Sequence, residues 1–190
     1  ITLESHRARA GVVGENLGTV PPEIYEGLAR HELLGMAVAQ DGVTEPKSTD
    51  LVALSSHDTP AFAAWWNGND IEDLLDLGVF DDERAAKERS ERIEMTERLQ
   101  ERFGTSGPVE TRDALMGWMA GTPAAVALLN LDDLLMEERR QNIPGTHWER
   151  PNWRLRDAVS LEELGADVSF GDQLRRFATR RPDVVDPDKA

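Results

Sequence analysis

Leu51-Val52-Ala53-Leu54-Ser55, continued by Ser56-His57-Asp58-Thr59-Pro60, is the stretch on which the fold turns. Its apolar half is continuous rather than alternating, as in a strand covered on both faces, and such strands belong to parallel sheets. Its polar half begins where that strand would end. Three other runs share the design: Ala10-Gly11-Val12-Val13-Gly14, Leu34-Gly35-Met36-Ala37-Val38-Ala39 and Ala124-Ala125-Val126-Ala127-Leu128-Leu129. Beyond them stand Glu15-Asn16, Gln40-Asp41, and Asn130 with Asp132. Parallel α/β folds carry their reactive groups at the carboxyl ends of strands, so these positions and His57-Asp58 are candidates for one site.

The segments between the runs read mostly as helix. Pro21 and Pro22 fit the first turn of a helix reaching Arg30, where a missing N–H costs nothing. Thr59-Pro60 predicts a helix through Ala61, Phe62, Ala63, Ala64, Trp65 and Trp66, stopped by Asn67-Gly68. From Asp70 to Arg102 acidic residues outnumber basic ones two to one, and Glu88/Arg92 and Glu94/Arg98 have the i,i+4 spacing of a solvated helix. Ala86, Ile93, Leu99 and Phe103 form its narrow inward stripe. Gly104 to Pro108 breaks the chain, Thr111 to Ala120 predicts a helix with Leu115, Trp118 and Met119 inward, and Phe170 to Thr179 predicts another. An acidic, Pro-containing tail follows from Pro182. The class expected is α/β with a parallel sheet, and four strands are too few to close a barrel. The sequence reads as half of a larger architecture.

Composition narrows the chemistry. The chain has 190 residues, the size of one domain, with 36 acidic against 21 basic residues and a formal charge of −15. That charge opposes nucleic acid and anionic membranes as partners and favours neutral or cationic ones. There is no cysteine, which removes disulfides, thiol catalysis and Cys-based zinc sites. No run approaches the roughly 18 apolar residues of a membrane span, and Ile1 to Arg7 lacks the layout of a secretory signal, so a cytoplasmic location is expected. The chain opens on Ile1 rather than Met, an expectation of a longer gene product.

A carboxylate on one strand end and a His-Asp pair on another are raw material for acid/base work on a sugar. Structural alternatives exist for each. Glu15-Asn16 could cap the turn before Leu17-Gly18, His57-Asp58 could cap the following helix, and Asp132-Asp133 could open a helical turn. Glu138 to Trp148 and Pro151 to Arg156 set Trp148 and Trp153 among amides and arginines, a surface suited to sugar stacking, although Trp153 could equally anchor a core.

These residues carry a resemblance. Val13-Gly14-Glu15-Asn16-Leu17-Gly18-Thr19-Val20-Pro21-Pro22-Glu23 resembles the acid/base segment of the 4-α-glucanotransferases, the amylomaltases or disproportionating enzymes. Gly35-Met36 with Gln40 is similar to that family's next strand. Ser56-His57-Asp58-Thr59, with Trp65-Trp66 behind it, is similar to the segment of its third catalytic carboxylate. Arg140-Gln141-Asn142-Ile143-Pro144-Gly145-Thr146, with Asn152-Trp153-Arg154, resembles its substrate-lining segment. The four matches keep their order across residues 12 to 156.

The resemblance implies a (β/α)8 barrel that acts on α-1,4-glucans with retention, without metal or cofactor, by an aspartate nucleophile, a glutamate acid/base and a stabilising aspartate. It assigns the acid/base to Glu15 and the stabiliser to Asp58, and substrate contacts to His57, Asn16, Gln40, Asn142, Pro144 and Gly145. The chain departs from the family where Asn16 replaces an Asp and Thr59-Pro60 an Asn. The nucleophile segment would precede Gly11 and has no counterpart here. On this reading residues 1–190 are the C-terminal half of the barrel, completed by an N-terminal half, with about residues 68–121 inserted between strands seven and eight. Two rivals are a retaining α-glucan hydrolase and an inactive glucan-binding or scaffold fragment.

Overall fold

A computed structural model describes residues 1–181; the acidic tail from Pro182 lies outside the described residues. Helix α1 (Thr2–Ala8) and helix α2 (Pro22–Arg30) precede strand β1 (Gly35–Val38), which runs into a 3-10 turn at Ala39–Asp41. Strand β2 (Asp50–Ala53) leads to four helices, α3 (Phe62–Asn67), α4 (Asn69–Asp76), α5 (Asp82–Phe103) and α6 (Pro108–Gly121). Strand β3 (Val126–Leu128) and helix α7 (Leu131–Leu134) follow, then α8 (Leu161–Ala166) and α9 (Val168–Arg180). No helix among the described residues is long and apolar enough to cross a membrane.

The sheet is parallel with order β1-β2-β3. Met36 pairs with Leu51, which pairs with Val126, while Ala37, Val52 and Ala127 form the adjacent row. Because side chains alternate across a sheet, these rows face opposite ways. Ala37, Val52 and Ala127 meet the helices in a core of Leu54, Phe62, Trp65, Leu99, Leu115 and Met119. On the other face Val126 and Leu128 stay 39% and 48% exposed. The sheet is thus covered on one face only along β3.

Several expectations need correction. The first apolar run does not form a strand: it makes one parallel bridge, Val13 to Leu34, held by Gly14 N–H to Leu34 O (2.8 Å) and Leu34 N–H to Val12 O (3.0 Å). Gly11 and Gly14 give it little side chain to pack, which weakens a strand. No α-helix joins β1 to β2, only the 3-10 turn and a loop. Helix α3 starts at Phe62, two residues after Pro60, and stops as expected at Gly68, whose φ of 76° suits a residue without Cβ.

Helix α5 keeps half of its expected inward face. Leu99 is buried and Phe103 packs against the core as expected, whereas Ala86 and Ile93 are exposed and Ala85 is buried instead. Arg92 lies on that inward face, where its guanidinium grips Asp70 at 2.8 Å with only 14% and 12% of the two side chains exposed. Glu88 therefore pairs with Arg84 rather than Arg92, while Glu94–Arg98 forms at 3.0 Å as the spacing predicts. The helices of residues 68–121 do not stand apart from the sheet, because Leu99, Leu115 and Met119 enter its core.

Candidate active site

The turn after β2 is knotted by its own hydroxyls. Ser56 N–H donates to Thr59 Oγ1 (2.7 Å), and Ser56 Oγ accepts the N–H groups of Asp58 and Thr59 (3.3 Å each). Such local bonds compete with strand continuation and turn His57 and Asp58 outward. A single buried carboxylate then fastens both ends of the turn. Asp133, 2% exposed, accepts from Ser55 Oγ–H and from Phe62 N–H, each at 2.7 Å. Asn130 Nδ2 adds a bond to Ser55 Oγ at 3.2 Å. Burial raises the Asp133 carboxyl above its ordinary value, against the two donors that favour its charged form. The cap on α3 is therefore Asp133, and Asp58 is left free of that duty.

Glu15 arrives from the neighbouring bridge. Asn16 Oδ1 accepts Met36 N–H at 2.6 Å, fixing the segment to β1. Gly35 makes room for that amide, since a Cβ there would stand 3.3 Å from both Asn16 amide atoms. The outcome is a trio: donor atoms of Glu15, His57 and Asp58 all lie within 4.8 Å of one another. Among the described residues this trio alone could close on a divalent cation. Asp58 is held further by Asn142, whose Nδ2 donates to Oδ1 at 2.7 Å, and by His57, whose Nε2 is 3.5 Å from Oδ2.

Beside the trio opens a cleft of about 360 Å³, lined by His57 and Asn142 together with Asn130, Asp132, Arg139 and Trp153. Not every sequence candidate reaches it. Gln40 is 1% exposed and donates to Pro60 O at 3.1 Å, so burial leaves it no face for a sugar. The Asn16 carbonyl is committed to Met36. Pro144 and Gly145 form an exposed turn closed by Thr146 N–H to Ile143 O (3.1 Å), with Gly145 at a φ of 84° that a type II turn asks of its third residue. Neither lines the cleft.

The cleft also brings in residues that sequence alone undervalued. Asp132 belongs to a pair read as opening a helical turn, yet the two aspartates part company. Asp133 turns into the core, and Asp132 lines the cleft with its carboxyl raised by burial first, then by Asp157 and Glu137, against the opposing charge of Arg139. Trp153 is no core anchor: it is 59% exposed, lines the cleft and sits at a φ of 59°. Its N–H bonds Gln141 O at 2.7 Å. Trp148, 85% exposed, lies against His147 with ring centres 4.2 Å apart and the planes tilted by 44°, and does not line the cleft.

A family model described as 4-alpha-glucanotransferase matches residues 1–160. The chain belongs to the 4-alpha-glucanotransferase family. A 4-alpha-glucanotransferase of Mycobacterium tuberculosis is 32% identical over 82% of this chain and 24% of its own length. The chain thus spans about a quarter of that relative. The amylomaltase of Corynebacterium glutamicum shares the fold with a TM-score of 0.75 at 23% identity, over 93% of this chain and 30% of that one. The amylomaltase of Streptococcus agalactiae, solved in complex with acarbose, gives 0.65 at 16% identity over 88% and 31%. The family expected from the four ordered motifs is the family found.

Proposed function

We propose that the protein carrying this chain is a 4-α-glucanotransferase that moves α-1,4-glucan segments between maltodextrins by retaining double displacement. Glu15 protonates the departing glycosidic oxygen and later takes the proton of the incoming sugar hydroxyl, one residue serving both steps. Asp58 stabilises the oxocarbenium-like transition state, and His57, exposed beside it, grips sugar hydroxyls. The nucleophilic aspartate comes from sequence outside these 190 residues. The observation that carries the reading is the trio itself, with Glu15, His57 and Asp58 ligand atoms within 4.8 Å at the carboxyl ends of two parallel segments that flank β1, beside a cleft holding Trp153.

On the same reading the chain is the C-terminal half of a (β/α)8 barrel, with residues 68–121 inserted between its seventh and eighth strands. The partly exposed Val126 and Leu128 support this, since they would face the barrel interior once the other strands are present. The chain alone, lacking the nucleophile, binds glucan without transferring it. The cleft accepts maltodextrins, and acarbose, bound by the Streptococcus agalactiae relative, is a suitable probe.

The test uses the full-length protein with maltotriose. Wild type yields glucose and longer glucans together, whereas a hydrolase only shortens chains. Glu15→Gln is expected to lower turnover by about 100-fold or more, the usual worth of a general acid/base. Near-normal turnover in Glu15→Gln removes the assignment.

A further inference from the structure

Asn142 was expected to contact substrate, yet its strongest interaction is with another member of the site. Its Nδ2 donates to Asp58 Oδ1 at 2.7 Å, within the short range of hydrogen bonds to carboxylates. The backbone that carries this amide is fixed on both sides. On one side of it, Gln141 O accepts Trp153 N–H at 2.7 Å, and on the other Ile143 N–H donates to Asn152 Oδ1 at 3.1 Å. Ile143 is buried, and Asn152 Nδ2 returns to Thr146 O at 3.2 Å. Both flanks of Asn142 are therefore pinned to residues 152–153. Arg140 reaches the same target from behind, its Nη2 donating to the Asp58 carbonyl at 3.4 Å.

The remaining neighbour of the carboxylate is different in kind. His57 is 3.5 Å from Oδ2, too far for a good hydrogen bond, and 60% of its side chain is exposed. It can turn towards a sugar. Asp58 thus has an exposed, loosely placed imidazole beside Oδ2 and one close donor on Oδ1. We propose that Asn142 is a positioning residue, which acts through Asp58 by holding Oδ1 so that the carboxylate is aimed before substrate enters. The inference rests on the role given to Asp58 above. A charge aimed in advance at where positive charge develops stabilises a transition state more than the bound ground state, so the effect falls on kcat.

The experiment is a double-mutant cycle in the full-length protein, with maltotriose as substrate. Asn142→Leu keeps the volume and removes the donor without adding a charge beside Asp58; Asn142→Ala serves as the second variant should Asn142→Leu not fold. Loss of one hydrogen bond to a carboxylate predicts a fall in kcat of about 10- to 100-fold with KM within about threefold. In an Asp58→Asn background the same change is expected to cost less than about twofold, because the group it acts through has gone. A rise in KM with kcat preserved, or an undiminished loss in the Asp58→Asn background, overturns the positioning role and leaves Asp58 in place. If Asp58→Asn by itself is silent, the reading of the site falls, and the positioning role falls with it.

Discussion

Asp133 and Ser55, 78 residues apart in sequence, are joined by a 2.7 Å hydrogen bond in which a buried carboxylate accepts from a hydroxyl. The other oxygen of Asp133 takes Phe62 N–H at 2.7 Å, so the turn carrying His57 and Asp58 is tied at both ends to one side chain behind β3. Removing it orphans a buried N–H and a buried hydroxyl at once. Asp133→Ala is expected to cost at least about 2 kcal/mol in urea unfolding. In the full-length protein its loss of transfer activity should exceed that of a surface substitution such as Arg98→Ala, since the turn would lose its fixed ends. An Asp133→Ala protein of unchanged stability contradicts this.

The same residue gives stability a pH dependence of definite sign. Burial raises the Asp133 carboxyl above its ordinary 3.8, so the folded chain holds this proton more tightly than the unfolded chain. The contribution is complete below the unfolded value and is lost as pH rises through the folded one. Asp133→Asn cannot titrate. The difference in unfolding free energy, wild type minus Asp133→Asn, should therefore decline as pH rises above the ordinary 3.8 and through the raised value of the folded chain. A difference that grows with pH reverses the sign and removes the argument.

Asp132 answers to its neighbours in order of size. Burial is the first cause of its raised carboxyl, and the like charge of Asp157 comes second. Asp157→Asn should therefore lower the Asp132 titration midpoint without returning it to 3.8, while Arg139→Gln, which removes an opposing cation, should raise it further. Carboxyl carbon NMR titration reads both. A midpoint that reaches 3.8 in Asp157→Asn would make the neighbour, rather than burial, the principal cause.

Much of this was legible in the sequence, and the failures share a cause. β2 and its turn were readable because a continuous apolar run stops abruptly at Ser56-His57-Asp58, and the four ordered motifs named the family. Periodicity placed Leu99 and Phe103 of α5 inward but missed the rest of that face, because it counts only apolar residues while the inward face there includes Arg92. Reading the stripe through Ala86 instead of Ala85 rotates the helix by about 100°. Gln40 failed for the complementary reason: a polar residue at a strand end can be spent inside the scaffold. Nothing local distinguishes Asp132 from Asp133, because their difference is made by Ser55 and Phe62, far away in sequence.

On the proposed function, Trp153 stacks on substrate. The residue is 59% exposed at the cleft, so little of the fold depends on its ring, and its backbone is held by Gln141 O. Trp153→Ala is expected to weaken acarbose binding to the full-length protein by about tenfold, the loss of one stacked ring of about 0.5–1.5 kcal/mol plus some buried area. Its melting temperature should stay within a few degrees. Calorimetric titration checks this, and unaltered affinity takes Trp153 out of the glucan path.

The Asp70–Arg92 pair separates buried from exposed charge within one helix. The two side chains are 12% and 14% exposed, Arg92 also lies over the Trp65 ring with its guanidinium 4.7 Å from the ring centre, and its Nη1 donates to Trp65 O. Breaking such a pair from one side leaves an uncompensated buried cation, at a cost of about 3–5 kcal/mol, whereas an exposed i,i+4 pair such as Glu94–Arg98 contributes about 0.3–0.5 kcal/mol. Asp70→Ala should therefore destabilise far more than Glu94→Ala in urea unfolding. Replacing both partners together, Asp70→Leu with Arg92→Met, should recover much of the loss, because two apolar side chains of similar reach need no compensation. If Asp70→Ala and Glu94→Ala cost the same, the buried charge pair on the inner face of α5 does not anchor that helix to α4.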